Sequence, residues 1–313
     1  MTSWKLREKE LDGITVAIVA PSGYAPNDLD VERAIARLEA WGCRVRNFYD
    51  AAEKYQRFGG SDAARVAQLH AAAADPEVQV VLALRGGYGI SRLLPALDFD
   101  VLATSGKLFV GHSDFTVLNM GLLARADAVS FSGPMVCIDF SREEPSEFTL
   151  RHFWQCLTTP SHTVQFEAQG NPAIDVSGQL WGGNLTMLTH LIGTPYLPEV
   201  EDGILFVEDV NEHPYRIERM LMQMSHAGLL RQKAIVLGDF SSYRLTEYDN
   251  GYDFDSMLEY LRQKLGVPIL TGLPFGHTRD KVTLAVGCDA QLQSDGRTCS
   301  LIMSGYPHLS LGR

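Results

Sequence analysis

A serine in the stretch GHSDFT, residues 111–116, stands where a nucleophile could be held. The apolar residues LFV before it predict a strand, and the apolar spacing after it predicts a helix up to about residue 126. A turn from strand to helix can expose the Oγ of Ser113 while the N–H of Asp114 points at a developing oxyanion. Serine is also a preferred N-cap, and Phe115 replaces the last glycine of the G-x-S-x-G hydrolase motif. The stretch alone therefore leaves both a helix cap and a nucleophile of another family open.

A serine nucleophile needs a base, and the base needs an orienting acid. Of nine histidines, His277 is best placed, just past an apolar strand in VPILTGLPFGH, although a structural histidine is the alternative. His112 adjoins Ser113, but neighbours in an extended stretch point to opposite faces. Alternation along GILFVED places Glu208 at the end of an apolar face, where a buried carboxylate needs a partner such as an imidazole. The same alternation predicts Asp209 on the other face as a solvated acid.

Two glycine clusters are candidates for ligand contacts. In ALRGGYG, residues 83–89, a strand gives way to a loop in which backbone N–H groups can approach a ligand closely. A dinucleotide fingerprint is not met, because Arg92 stands where the third glycine would fall, and a plain tight turn is the alternative. In GQLWGGNLTML, residues 178–188, Trp181 is either a substrate wall or a core residue, and Asn184 begins a predicted helix.

Bulk composition narrows the function classes. The chain has 313 residues, 45% of them hydrophobic, and a net charge of −11, which disfavours binding to nucleic acid or to an anionic membrane. The polar N-terminus lacks a signal peptide pattern or a membrane span, so we expect a cytoplasmic protein. Five scattered cysteines predict core packing rather than disulfides or a zinc site.

From residue 14 onward, short apolar runs alternate with helical patterns, and this alternation is typical of βα units. The candidate residues lie within these units. We predict an α/β fold with a doubly wound, mostly parallel sheet in an N-terminal domain over residues 1–140, which carries the serine. A connecting segment with one helix is predicted over 141–175. A C-terminal, β-rich α/β domain over 176–313 then carries the acid and the base, and its tail predicts two or three strands.

Eight motifs together resemble the LD-carboxypeptidase family, and within it the murein-recycling branch: APSGY, LRGGYGISRLL, GHSDFT, FSGPM, LWGGNL, IGTP, EDVNEHPYRIERML and GLPFGH. The resemblance implies a serine peptidase with Ser113 as nucleophile, Glu208 as acid and His277 as base. It also implies an oxyanion hole of backbone N–H groups: Gly86, Gly87 and Asp114. The implied substrate is a murein tetrapeptide, from which terminal D-Ala is released through an acyl-enzyme. A homodimer is implied, and neither a cofactor nor a metal.

Two other functions stay open from the sequence. One is a related serine peptidase that acts on a peptidyl-nucleotide, as microcin immunity proteins do, and the other is a non-catalytic protein that binds a nucleotide or a sugar. A carboxypeptidase must also bind a free carboxylate, and Arg85 is the cation predicted for it, with a surface ion pair as the alternative. Tyr88, Trp181 and Asn184 are the further candidates for substrate binding.

Overall fold

Strands and helices alternate through the first half of the chain in the computed structural model, which describes residues 11–310. The strands are β1 (Thr15–Val19), β2 (Arg44–Asn47), β3 (Val80–Ala83), β4 (Leu108–Gly111) and β5 (Ser130–Ser132). The helices are α1 (Asp28–Ala40), α2 (Asp62–Ala74), α3 (Phe99–Thr104) and α4 (Thr116–Ala126). The side chains of Asn27 and Ser61 cap the first turns of α1 and α2 by accepting backbone N–H bonds.

The second half of the chain is richer in strands. After a π-helical turn at Val136–Phe140, its helices are α5 (Glu147–Thr158), α6 (Leu185–His190), α7 (Pro214–His226) and α8 (Phe254–Lys264). Its strands are β6 (Ser161–Glu167), β7 (Ala173–Asn184), β8 (Ile204–Val210), β9 (Ala234–Ser241), β10 (Ile269–Leu270), β11 (Leu284–Val286), β12 (Asp289–Asp295) and β13 (Thr298–Ser304). The tail thus forms three strands, the upper end of the predicted range.

The strands assemble into two sheets within residues 11–310. The first has the order β11-β5-β4-β3-β1-β2 and is parallel except for β11. The second has the order β10-β9-β8-β7-β12-β13-β6 and is parallel from β10 to β7 and antiparallel beyond. The predicted α/β fold, with a doubly wound N-terminal sheet and a β-rich C-terminal part, is confirmed.

The predicted division of the chain at residues 140 and 176 stays a prediction, but two strands do not follow it. Strand β6 lies in the predicted connecting segment and forms the edge of the second sheet. Strand β11 lies in the predicted C-terminal domain and pairs with β5 in the first sheet. The predicted domains include residues 1–10, which form most of the polar N-terminus, and residues 311–313. Both stretches lie outside the described residues.

Two further features bear on the sequence predictions. Between residues 11 and 310, no helix is both long and apolar enough to cross a membrane.

The cysteines are free thiols, four buried and Cys137 half-buried, which confirms that they pack in the core. Burial raises the pKa of the Cys43 thiol to about 12, so it is protonated and unreactive at neutral pH.

Candidate active site

The predicted site residues lie at the carboxyl ends of parallel strands in both sheets. Ser113 follows β4 and the Gly86–Gly87 turn follows β3 in the first sheet, whereas Glu208 lies near the end of β8 in the second. His277 follows β10, at the same edge of the second sheet. Ligand sites of α/β proteins occupy this edge, because the loops that leave it converge there.

Glu208 and His277 form a hydrogen-bonded pair. The carboxylate of Glu208 is fully buried, and its Oε2 lies 2.7 Å from Nδ1 of His277. The other oxygen, Oε1, accepts a hydrogen bond from the side-chain amide of Asn184 at 3.1 Å. Because a carboxylate only accepts hydrogen bonds, Nδ1 of His277 must carry the proton, which leaves Nε2 as a base. The His277 side chain keeps 17% of its surface exposed, so a reactant can approach it.

The surroundings of His277 set its pKa. Burial lowers the pKa of His277, but the hydrogen bond and negative charge of Glu208, with a smaller contribution from Asp209, raise it more. The charge of Lys281 acts in the lowering direction. The net result is a pKa above the ordinary value, so the imidazolium that forms when the ring takes a proton is stabilised.

Asp209, the next residue of β8, also contacts Asn184, at a point where the pairing of β8 with β9 is irregular. Val207 pairs with Leu237, but Asp209 pairs with Phe240, so two residues of β9 lie opposite Glu208. Asp209 is 4% exposed and accepts bonds from the Asn184 amide at 3.0 Å and from the backbone of Thr186 at 2.9 Å. The prediction of a solvated Asp209 is therefore wrong, because the face of β8 that carries Asp209 is also covered: Leu205 and Val207 on that face are fully buried.

Ser113 lies in a 3₁₀ turn, Ser113–Phe115, that leads into α4. Its φ angle is +62°, which is uncommon for a residue other than glycine and marks a constrained backbone. No side-chain capping bond occurs at the start of this turn or of α4, so the interpretation of Ser113 as a simple helix cap is wrong. Within residues 11–310 the Oγ of Ser113 makes no hydrogen bond, including to His277, and is uncommitted.

The Gly86–Gly87 turn packs directly against the serine. A Cβ placed on Gly86 would lie 2.8 Å from Ser113 Oγ and 3.6 Å from the backbone N of Asp114. Only glycine leaves this space open. Across the described residues, the N–H groups of Gly86 and Gly87 have no acceptor, and Asp114 lies in the first turn of a helix, where N–H groups have no intrahelical acceptor. The loop that carries Gly86 thus adjoins the turn that carries the Asp114 N–H, and the N–H groups of Gly86 and Gly87 are free to donate.

The carboxylate of Asp114 connects three loops, a role that the sequence analysis missed. It is 1% exposed and accepts hydrogen bonds from Ser22 Oγ at 2.7 Å and from the N–H of Ile90 at 3.0 Å. Burial raises its pKa, although both hydrogen bonds act in the opposite direction. The turn that carries Ser113 is therefore tied to the loops after β1 and β3, and the APSGY motif, which contains Ser22, was the signal for this contact.

His112, the residue before the serine, contacts both halves of the chain. Its Nδ1 lies 2.8 Å from the carbonyl of Gly133, and its ring packs edge-on against that of His277 with centroids 5.2 Å apart. Complete burial, together with the charge of Lys281, holds the pKa of His112 well below its usual range. The His112 ring is therefore neutral. A positive charge on it would disfavour protonation of His277, which lies beside it.

The remaining candidates divide into two groups. Trp181 is fully buried and its indole N–H donates to Gln232 Oε1 at 3.0 Å, so it is a core residue and the substrate-wall interpretation is wrong. Asn184 is 5% exposed, and its amide is occupied by two carboxylates, so it positions the acid instead of contacting substrate. Arg85 and Tyr88 line an open cavity beside the Gly86–Gly87 turn.

Comparisons with known proteins identify the family of this chain. The family models for the LD-carboxypeptidase N-terminal and C-terminal domains match residues 16–133 and 177–292. The murein tetrapeptide carboxypeptidase of Pseudomonas aeruginosa is 30% identical over 91% of this chain and 94% of its own. The crystal structure of muramoyltetrapeptide carboxypeptidase from Oxalobacter formigenes is 53% identical, with a TM-score of 0.91 over 94% of this chain and 99% of that one.

MccF, solved in complex with glutamyl sulfamoyl guanosine, has a TM-score of 0.85 at 21% identity over 95% of this chain and 97% of its own, a likeness of fold alone. The domain matches and the murein carboxypeptidase relatives decide the class. This chain belongs to the LD-carboxypeptidase family and is a serine-type carboxypeptidase.

Proposed function

We propose that this protein releases terminal D-Ala from murein tetrapeptides by hydrolysing the L,D bond, with Ser113 as nucleophile, His277 as base and Glu208 as the orienting acid. One observation carries the proposal: His277, in a hydrogen bond of 2.7 Å to the buried Glu208, packs against His112, which directly precedes a serine with an uncommitted Oγ. The names of the murein carboxypeptidase relatives support the substrate.

The chemistry follows from the proton positions. Nε2 of His277 takes the proton from Ser113 Oγ as this oxygen attacks the scissile carbonyl carbon. The N–H groups of Gly86, Gly87 and Asp114 donate hydrogen bonds to the developing oxyanion, a contribution worth roughly a hundred- to a thousandfold in rate per donor. His277 then protonates the departing amine of D-Ala, and a water molecule that it deprotonates hydrolyses the acyl-enzyme. Hydrogen bonds between nucleophile and base often tighten only when substrate binds, so the absence of a Ser113–His277 bond within the described residues is compatible with this route.

The test is incubation of the intact protein with a defined murein tetrapeptide and measurement of free D-Ala. The expected result is release by the wild type and loss of release in Ser113→Ala, whose folding is checked by thermal unfolding. A peptidyl-nucleotide serves as the competing substrate. Absence of D-Ala release by the wild type, or equal release by Ser113→Ala, would contradict the proposal, and preferential turnover of the peptidyl-nucleotide would support the microcin-type alternative.

We further propose a homodimer that works in the cytoplasm on recycled murein fragments, with no role for nucleic acid or a membrane. The five free thiols support a reducing compartment. The dimer rests on the family resemblance. Cell fractionation and light scattering test these two points, and unchanged D-Ala release after treatment with a chelator tests the expectation that no metal takes part.

A further inference from the structure

A cavity of about 260 Å³ lies beside the Gly86–Gly87 turn. Its walls come from loops after β1, β2 and β3, which all leave the carboxyl edge of the first sheet. Gly86 packs against the serine turn and also lines this cavity. The cavity is therefore adjacent to the proposed reaction centre.

Two arginines, Arg57 and Arg85, line this cavity, and no acidic residue does. Within residues 11–310 neither guanidinium forms an ion pair, and the nearest polar contact of Arg85 is the carbonyl of Tyr24 at 3.5 Å. The neighbouring Arg65 and Arg92, by contrast, are both paired with one acid on α2. Unpaired positive charge is thus concentrated in the cavity of a chain whose net charge is −11.

The loop that carries Arg57 is anchored to the body of the protein. Tyr55 and Phe58 exchange two backbone hydrogen bonds, of 2.9 and 3.2 Å, across a tight turn that contains Arg57. Phe58 is 3% exposed and also bridges to Gly23 after β1. Its ring packs against that of Tyr88, with centroids 6.1 Å apart. An exposed arginine is usually only solvated, but this one extends from a fixed turn into a shared cavity.

We infer that Arg57 and Arg85 together bind the carboxylate of the residue that leaves, an inference that rests on the proposed function. In a carboxypeptidase substrate only one residue separates the scissile carbonyl from the terminal carboxylate, so the two groups lie about 4 Å apart. The carboxylate site must therefore adjoin the oxyanion turn, and the cavity that shares Gly86 and Gly87 with this turn meets the requirement. Guanidinium groups suit a carboxylate because their paired N–H donors match its two oxygens.

The test compares a murein tetrapeptide that ends in D-Ala with the same peptide ending in D-alaninamide. Arg57→Ala and Arg85→Ala are each expected to lower kcat/KM for the free acid by roughly 10- to 100-fold, the usual effect of losing a hydrogen bond to a charged group. Turnover of the amide should change little, so the preference for the acid collapses. Arg57→Gln, which keeps most of the side-chain length, should give the same collapse, and Arg57→Lys should retain part of the preference.

Arg231→Ala is the matched control, because Arg231 lies at the opposite edge of the second sheet, where it pairs with Glu201. It should leave both rates unchanged. Equal losses for acid and amide, or an unchanged acid preference in a folded Arg57→Ala protein, would overturn the inference while the wild type still releases D-Ala. Failure of the wild type to release D-Ala would instead overturn the proposed function.

Discussion

Two buried pairs of a carboxylate and a basic side chain, Glu208–His277 and Asp139–Lys281, each take their basic member from the loop after β10, and they differ in which atoms they leave accessible. In the first pair Glu208 is fully buried, whereas the His277 side chain is 17% exposed and keeps Nε2 uncommitted. In the second pair Asp139 is 3% and Lys281 0% exposed. A buried pair of a carboxylate and a basic side chain can therefore take part in a reaction when one atom of the pair stays accessible. When both side chains are enclosed, such a pair can stabilise the fold.

The enclosed pair fixes the loop that carries the base. Besides its ion pair, Lys281 donates its backbone N–H to Thr149 Oγ1 at 2.9 Å, and that hydroxyl donates to the carbonyl of Arg279 at 3.0 Å. Asp139 also accepts the N–H of Met135 at 2.9 Å. Elements from three parts of the chain thus meet just after His277, where an ion pair and hydrogen bonds join them.

The largest effect is expected from Glu208→Gln, which keeps the size of the acid and removes its charge. The amide can present its NH₂ group to Nδ1 and so favour the wrong imidazole tautomer, and it no longer stabilises the imidazolium. We expect kcat for D-Ala release to fall roughly a thousand- to ten-thousandfold. Glu212→Gln in the same segment should leave kcat nearly unchanged. Similar kcat values for Glu208→Gln and wild type would show that this pair is not catalytic.

Asp139→Asn is expected to act on stability more than on any chemical step. The substitution leaves the Lys281 ammonium buried with a neutral partner, while the amide oxygen still accepts the Met135 N–H. We expect a loss of about 3–5 kcal/mol in the free energy of unfolding, measured by denaturant titration. Combining it with Lys281→Met removes both charges and should recover much of that loss. Additive losses in the double variant would mean that the pair is not coupled.

Asn184→Ser should produce a smaller effect, confined to the catalytic pair. Serine preserves an N-cap for α6, where the Asn184 side chain accepts the N–H of Met187, but it cannot reach Glu208 and Asp209. Loss of a hydrogen bond to a charged group predicts a fall in kcat of roughly 10- to 100-fold with KM little changed. A changed KM with unchanged kcat would instead assign Asn184 to substrate binding, as its sequence position first suggested.

The sequence predicted elements and chemistry better than it predicted contacts between distant segments. Alternating patterns identified the βα units, and the strand end at Glu208 was recognised because a terminal carboxylate on an apolar face requires a partner. Asp209 is buried by contacts with Asn184 at the end of β7 and Thr186 in α6, and no periodicity within β8 could predict those contacts. Trp181 and Arg57 show the same limit, because burial of the one and the cavity position of the other depend on segments remote in sequence.

The pH dependence of kcat/KM distinguishes the two pairs by the direction of a shift. His277 acts as a base only when neutral, and its pKa is raised above the ordinary 6.5, so activity should fall as pH decreases through a value above 6.5. In the residual activity of Glu208→Gln this acidic limb should move to lower pH. Burial lowers the pKa of His277, and the negative charge of Glu208 no longer offsets that effect. In the Asp139→Asn/Lys281→Met protein it should move to higher pH, because Lys281 lowers the pKa of His277. The same substrate is used for all three proteins, so ionisation of the substrate affects the three pH profiles equally. A limb that stays in the same place in all three proteins would mean that a group other than His277 controls the rate.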